Sequence, residues 1–245
     1  MSALEKVLSH GLGADVQTIE SIRGGGNNRL YRVVVSDEKC YAVKVYWRDV
    51  RDARDRLATE FDGLAFMWSH GLRCIPAPVF CDKVAGFAVY EYVQGERADG
   101  PRVETADIGQ VVRFLGKLRE MSHDESARSL AAASDACFSV GDIVSGVYRR
   151  IQRLREVSDN SVHGRDMKTF LGHDLEPFFE QAVGNAMKSL ERTGRAMDSV
   201  LSLEERTLSP SDYGFHNALR RSDGSLVFVD FEYFGWDDPA KMVVD

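Results

Sequence analysis

The sequence predicts an α+β chain, with a small antiparallel β lobe carrying one helix joined to a larger, mainly helical lobe. Three observations carry this expectation. The first 93 residues are mostly short runs of β-formers punctuated by Gly, Asn and Pro. One window among them, Asp49 to His70, changes to apolar residues recurring at spacings of four and three. From about residue 103 onward helical patterns dominate, until β character returns in LVFVDF near the C-terminus. The expected division is a β lobe over 1–93, a connector over 94–101 and a helical lobe over 102–245.

In chain order, VQTIESI (16–22) and RLYRVVV (29–35) read as strands separated by RGGGNN. SDEK then turns the chain into CYAVKVY (40–46), the partner strand. In the helical window, Leu57, Phe61, Leu64 and Trp68 form the apolar side, and Gly71 supplies a stop. IPAP breaks the chain, and VFCDKV with FAVYEYV makes a second hairpin ending at Val93. After the connector QGERADGP, helices are expected over 103–122, 139–157 and about 173–201. Ile143, Val147, Ile151 and Leu154 share one face of the second of these. The basic run YRRIQRLR falls on that helix, and its apolar spacing marks it as a solvated helix face, not a nucleic-acid or membrane patch.

Composition narrows the function classes. At 245 residues, 44% hydrophobic and 28% charged, the chain can bury a substantial core. A net charge of −7 argues against general nucleic-acid binding. Because the first 93 residues are neutral overall, the whole of that charge follows residue 93, which suits a cationic small-molecule partner as well as plain solubility. No stretch approaches the ~18 apolar residues of a membrane span, and the N-terminus has no basic leader followed by an apolar run. Cys40, Cys74, Cys81 and Cys137 show neither CxxC nor zinc spacing. They are expected as free, buried thiols in a reducing, cytoplasmic setting.

Several residues could carry chemistry. Gly24, Gly25 and Gly26, followed by Asn27 and Asn28, lie between two strands, where backbone N–H groups can hold phosphate oxygens. A flexible hairpin turn would look the same. Neither a P-loop nor a strand-to-helix GxGxxG occurs. Lys44, in YAVKVYW, needs a negative partner if it is buried and otherwise snorkels from an edge strand. Glu60 shares a helix face with Leu57 and Leu64 and so points inward as a candidate partner. Further on, LSPSDYGFHNAL sets Asp212 five positions before Asn217, and Asp230 ends the β-run LVFV. Carboxylate and amide oxygens suit Mg²⁺, whereas zinc wants His or Cys, and His216 has no such partner nearby. No GxSxG supports a serine nucleophile.

This order of parts resembles the protein-kinase-like phosphotransferases, and more narrowly the aminoglycoside phosphotransferase and choline kinase-like family. GGGNNRLYRV is similar to the family's glycine-rich opening, and RLATEFDGLAFMWSHGLRCIPAPV to its glutamate-bearing helix and Pro-rich link. VDFEYFGWDDPAKMVVD is similar to its metal-binding segment. The resemblance spans nearly the whole chain, though about 125–200 matches only in character.

It implies a two-lobed protein-kinase-like fold and an ATP-dependent transfer of phosphate to a hydroxyl of a small molecule, such as an aminoglycoside, amino alcohol or sugar-like compound. Asp212 would orient the acceptor and take its proton, and Asn217 and Asp230 would hold Mg²⁺. Lys44, kept in place by Glu60, would contact the nucleotide phosphates under Gly24, Gly25, Gly26 and Asn28. The carbonyl of Glu91 and the N–H of Val93 would meet the base, and GTP would meet the same backbone.

Two departures stand out. Pro210 and Ser211 occupy the places of the family's usual His-Gly. Relatives normally continue past the point of Asp245 into helices that help bind the acceptor, so an incomplete acceptor site is expected. These departures motivate an alternative, a nucleotide-binding pseudokinase with a regulatory role. A protein kinase is a third reading, weakened by Asp-Phe-Glu in place of Asp-Phe-Gly.

Overall fold

The computed structural model describes residues 3–22, 28–48, 54–99, 103–158 and 160–244. The glycine run 24–26 lies outside the described residues. Helix α1 (Ala3–Leu12) precedes strands β1 (Val16–Ile22), β2 (Arg29–Val35) and β3 (Cys40–Val45). Helix α2 (Arg56–Ser69) follows, then β4 (Pro78–Asp82) and β5 (Phe87–Glu91). These strands form an antiparallel sheet in the order β1-β2-β3-β5-β4. β-branched residues alternate across it, so Val33, Val35, Val43, Phe87 and Val89 share one buried core with Leu8.

Helix α1 has no counterpart among the sequence expectations. Leu4, Leu8 and Leu12 recur every four residues and pack on that core. The approach is close enough that a Cβ at Gly11 would meet the Phe80 ring at 2.3 Å. Because side chains alternate along β3, Val43 faces α1 while Lys44 faces the other way, cross-strand from Ala88.

Helix α2 is shorter than its expected window. Asp55 caps it, accepting from the Ala58 N–H at 3.0 Å. Its buried stripe runs Leu57, Glu60, Gly63, Leu64 and Met67, while Phe61 and Trp68 are only half-buried. The inward side is therefore turned from the one first expected.

Strand β6 (Glu96–Arg97) and helix α3 (Thr105–Met121) follow. Helices α4 (Val140–Arg155), α5 (Val162–Phe170) and α6 (Glu176–Thr193) come next. The chain closes with β7 (Thr207–Ser209), β8 (Ala218–Arg220), β9 (Leu226–Phe228), β10 (Gly235–Asp237) and helix α7 (Pro239–Val244). β6, β8 and β9 make one small sheet, and β7 pairs with β10.

These late strands pack with the N-terminal part of the chain. Residues 1–136 and 207–245 form one compact unit and 137–206 another. The reason is visible in the hydrogen bonds: β6 pairs with β8, and the Phe228 N–H donates to the Cys74 carbonyl at 2.8 Å. The second unit is helical. Its α4 starts at a capping box of Ser139 and Asp142, and only Ile151 on that helix is buried, with Ile143 and Leu154 exposed. The helix expected over about 173–201 is α6, which ends sooner, at Gly194 with φ 69°, and a π-type turn at Leu171–Leu175 joins it to α5, a helix that was not expected. The four cysteines are free but half-buried, not buried. No described helix is long and apolar enough to cross a membrane.

In the first unit, Asp107 at the start of α3 takes both terminal nitrogens of Arg220 at 2.6 Å each, and the Glu104 N–H at 2.7 Å. Arg220 holds the Asp107 carboxyl below the usual carboxylate range. Its contribution to stability is therefore complete above the ordinary value of about 3.9 and is lost as pH falls through the lower folded value. Asp107→Ala is expected to lower the melting temperature at pH 7 by on the order of 5 °C. The difference from wild type should shrink when both proteins are melted in acid below that range.

Candidate active site

Turning Lys44 away from the α1 core brings its ammonium under helix α2. Nζ lies 2.6 Å from Glu60 Oε2 and 2.6 Å from Asp230 Oδ1, with Glu232 Oε2 at 3.7 Å. Lys44 and Glu60 are both buried, so neither charge is tolerable without the other. Burial pulls the Lys44 ammonium down, but the attraction of Glu60 and Asp230 outweighs it and holds the amine charged. Burial pushes the Glu60 carboxyl up against the pull of Lys44.

Glu60 accepts two further hydrogen bonds. Oε2 accepts from Tyr46 OH at 2.7 Å, and Oε1 accepts from the Phe231 N–H at 3.2 Å. Tyr46 and Tyr90 share a further hydrogen bond at 2.7 Å, and burial raises both phenols well above their ordinary value. Helix α2 can deliver Glu60 here because it lies directly on the 230s segment: a Cβ at Gly63 would meet the Phe234 ring at 2.5 Å.

Asp230 stands at φ 70°, in the left-handed region, and its side chain is 42% exposed. Two residues on, Glu232 is buried among donors. It accepts from Asn28 Nδ2 at 2.5 Å and from Arg56 at 2.7 Å. Asn28 in turn accepts from the Trp47 N–H at 3.0 Å. Asn28 just before β2, the first turn of α2 and the Asp230 segment thus meet on one carboxylate. Sequence reasoning passed over Glu232 and Arg56. The signal was the glutamate in Asp-Phe-Glu, a charged residue two positions past Asp230, but its partners are remote in sequence.

Asp212 lies on the loop after β7. Asn217 Nδ2 donates to the Asp212 carbonyl at 3.0 Å, and the Val229 N–H donates to the Asn217 carbonyl at 2.9 Å. That second bond places the Asp212 loop beside the segment bearing Asp230. An aromatic platform supports both: Phe114 of α3 stacks on Phe228 at 4.5 Å and on Tyr213 at 5.7 Å, and meets Phe231 edge-on at 6.1 Å. The Glu91 side chain is occupied by Arg221 and the Ala77 N–H, each at 3.2 Å, and Val93 is buried.

The carboxylates of Glu60, Asp230 and Glu232 lie close enough to share an ion, and Asn217 adds an amide nearby in the fold. Such oxygen-only donors fit a hard dication such as Mg²⁺ and not zinc. With Lys44 among the carboxylates, the site has the charge balance to take anionic phosphate on one side and a cation on the other.

Ser211 explains the local cost of departing from His-Gly. It sits at φ 60°, where glycine is unstrained, and its buried Oγ has no hydrogen-bond partner among the described residues. Ser211→Gly is expected to raise the unfolding free energy by about 1 kcal/mol. Urea denaturation checks this; an unchanged midpoint would mean that Ser211 is not strained.

A phosphotransferase enzyme family model matches residues 18–241. No curated protein matches the sequence significantly. Among solved structures, spectinomycin phosphotransferase APH(9)-Ia in complex with ADP and spectinomycin is similar at 17% identity and TM-score 0.60, over 97% of this chain and 70% of that one. Choline kinase LicA from Streptococcus pneumoniae is similar at 18% identity and TM-score 0.52, over 97% and 72%. Macrolide 2'-phosphotransferase MphH from Brachybacterium faecium is similar at 15% identity and TM-score 0.60, over 99% and 76%. The fold is therefore that of the protein-kinase-like small-molecule kinases, an antiparallel β lobe with a helical lobe. With the family model spanning nearly all of it, the chain belongs to the phosphotransferase enzyme family, whose members pass phosphate to hydroxyl groups of small molecules.

Proposed function

We propose that the protein transfers the γ-phosphate of ATP to a hydroxyl of a small, cationic molecule, with Mg²⁺ as the metal. The observation that carries this reading is the buried Lys44 ammonium held between Glu60 and Asp230. Phosphoryl transfer needs positioning and charge neutralisation more than covalent chemistry, and these residues are arranged for both. Lys44 contacts the nucleotide phosphates, and the backbone N–H groups of Gly24, Gly25 and Gly26 are candidates to bind them on the strength of the sequence. The Glu91 carbonyl and Val93 N–H meet the base. Asp230 and Asn217 would hold the metal, whose charge would neutralise that developing on the phosphate oxygens. Asp212 orients the acceptor hydroxyl and accepts its proton as the new O–P bond forms and the bond from the γ-phosphorus to the β-phosphate oxygen breaks, releasing ADP. The excess of acidic residues after residue 93 and the spectinomycin and choline in the names of structurally similar proteins support a cationic acceptor.

The test is a panel of amino alcohols and aminoglycosides assayed with Mg·ATP, in wild type and Asp212→Ala. Removing a positioned base is expected to lower turnover by ~10²–10⁴-fold. Calorimetric affinity for Mg·ATP should stay unchanged. An Asp212→Ala enzyme within a few-fold of wild type would show that Asp212 is not the base. Tight Mg·ATP binding without transfer to any acceptor would point to the regulatory alternative.

A further inference from the structure

His216 has no assigned part in the phosphotransfer machinery, yet its ring reaches the Asp212 carboxylate. Nε2 lies 3.3 Å from Asp212 Oδ1, four residues earlier in the chain. The ring also fills the space where a side chain at position 214 would be: a Cβ on Gly214 would lie 2.8 Å from His216 Nδ1 and 2.9 Å from Cε1. Gly214 has φ 171°, an extended conformation open to any residue, so its value lies in the room it leaves. The adjacent Asn217 braces the backbone of Asp212 while His216 reaches its side chain.

We propose that His216 is a positioning residue for the Asp212 carboxylate, an inference that rests on the phosphotransfer reading above. An imidazole nitrogen attracts a carboxylate oxygen only when it carries hydrogen, so Nε2–H donates to Oδ1. Oδ2 is then left to the acceptor hydroxyl. The restraint matters because the Asp212 side chain is 53% exposed and no other hydrogen bond holds its carboxylate among the described residues. An unrestrained carboxylate spends less time in the orientation that receives the proton.

Two measurements test this. In ¹⁵N-histidine spectra at pH 8, His216 is expected as the Nε2–H tautomer, with a signal that moves in Asp212→Ala. An Nδ1–H tautomer, or a signal indifferent to that substitution, overturns the contact. In turnover of Mg·ATP with choline and spectinomycin as acceptors, His216→Ala should lower kcat about tenfold with an unchanged KM for the nucleotide. His216→Gln, whose amide nitrogen reaches the place of Nε2, should recover to within about threefold of wild type. His216→Asn, which reaches only the place of Nδ1, should stay low, and Gly214→Ala should fall with His216→Ala by displacing the ring. A His216→Ala kcat within about twofold of wild type, or His216→Gln no better than His216→Asn, overturns the positioning role. Wild type inactive on both acceptors and on water would count against the phosphotransfer reading, while the nitrogen spectrum would still decide the His216–Asp212 contact.

Discussion

A buried ammonium between two carboxylates is the constraint from which the rest of the site follows. Lys44 would be unaffordable in the interior alone, and Glu60 equally so. Together, with Tyr46 and the Phe231 N–H also donating to Glu60, they form a satisfied polar centre in which each group holds the others. The arrangement also ties three distant stretches of chain: strand β3, helix α2 and the segment after β9.

Several features of the fold make sense as supports for that centre. Period-two alternation on β3 sends Val43 into the α1 core and Lys44 to the opposite side. Gly63 lets α2 rest against Phe234, which brings Glu60 to the start of the 230s segment. Glu232 gathers Asn28 and Arg56, so the residue just before β2 and the beginning of α2 share an anchor with Asp230. Besides Glu38 in the β2–β3 turn, the described non-glycine residues in the left-handed region are Asp230 and Ser211, one on each acidic loop, where a site that must hold charge in a set geometry would store strain.

Much of this was legible in the sequence. Lys44 and Glu60 could be paired because strand and helix periodicities each predict which residues point inward, and those periodicities are local. The five principal strands followed from β-branched runs and turn residues for the same reason. Helix α1 escaped because LEKVLSHGL is short and carries a Gly and a His, and only the sheet beneath makes its three leucines a face. The apolar side of α2 was misplaced because Phe61 and Trp68 are large enough to look like core, whereas the space under the helix is taken by Glu60 and Gly63. Glu232 was hidden because its donors lie 204 and 176 residues away. The ring position of His216 depends on a missing side chain at Gly214, which no spacing rule detects. The pairing of β6 with β8 is a long-range event that composition does not encode.

The claim that Glu60 acts through Lys44 to present a charge to the nucleotide is tested most directly by a double-mutant cycle on Mg·ATP affinity. Calorimetry on wild type, Lys44→Met, Glu60→Gln and the double variant gives the four corners. Each single substitution should weaken binding by about tenfold or more, and Glu60→Gln should cost almost nothing further once Lys44 is gone, leaving a coupling above about 1 kcal/mol. Additive losses, or an affinity indifferent to Lys44→Met, would contradict the account.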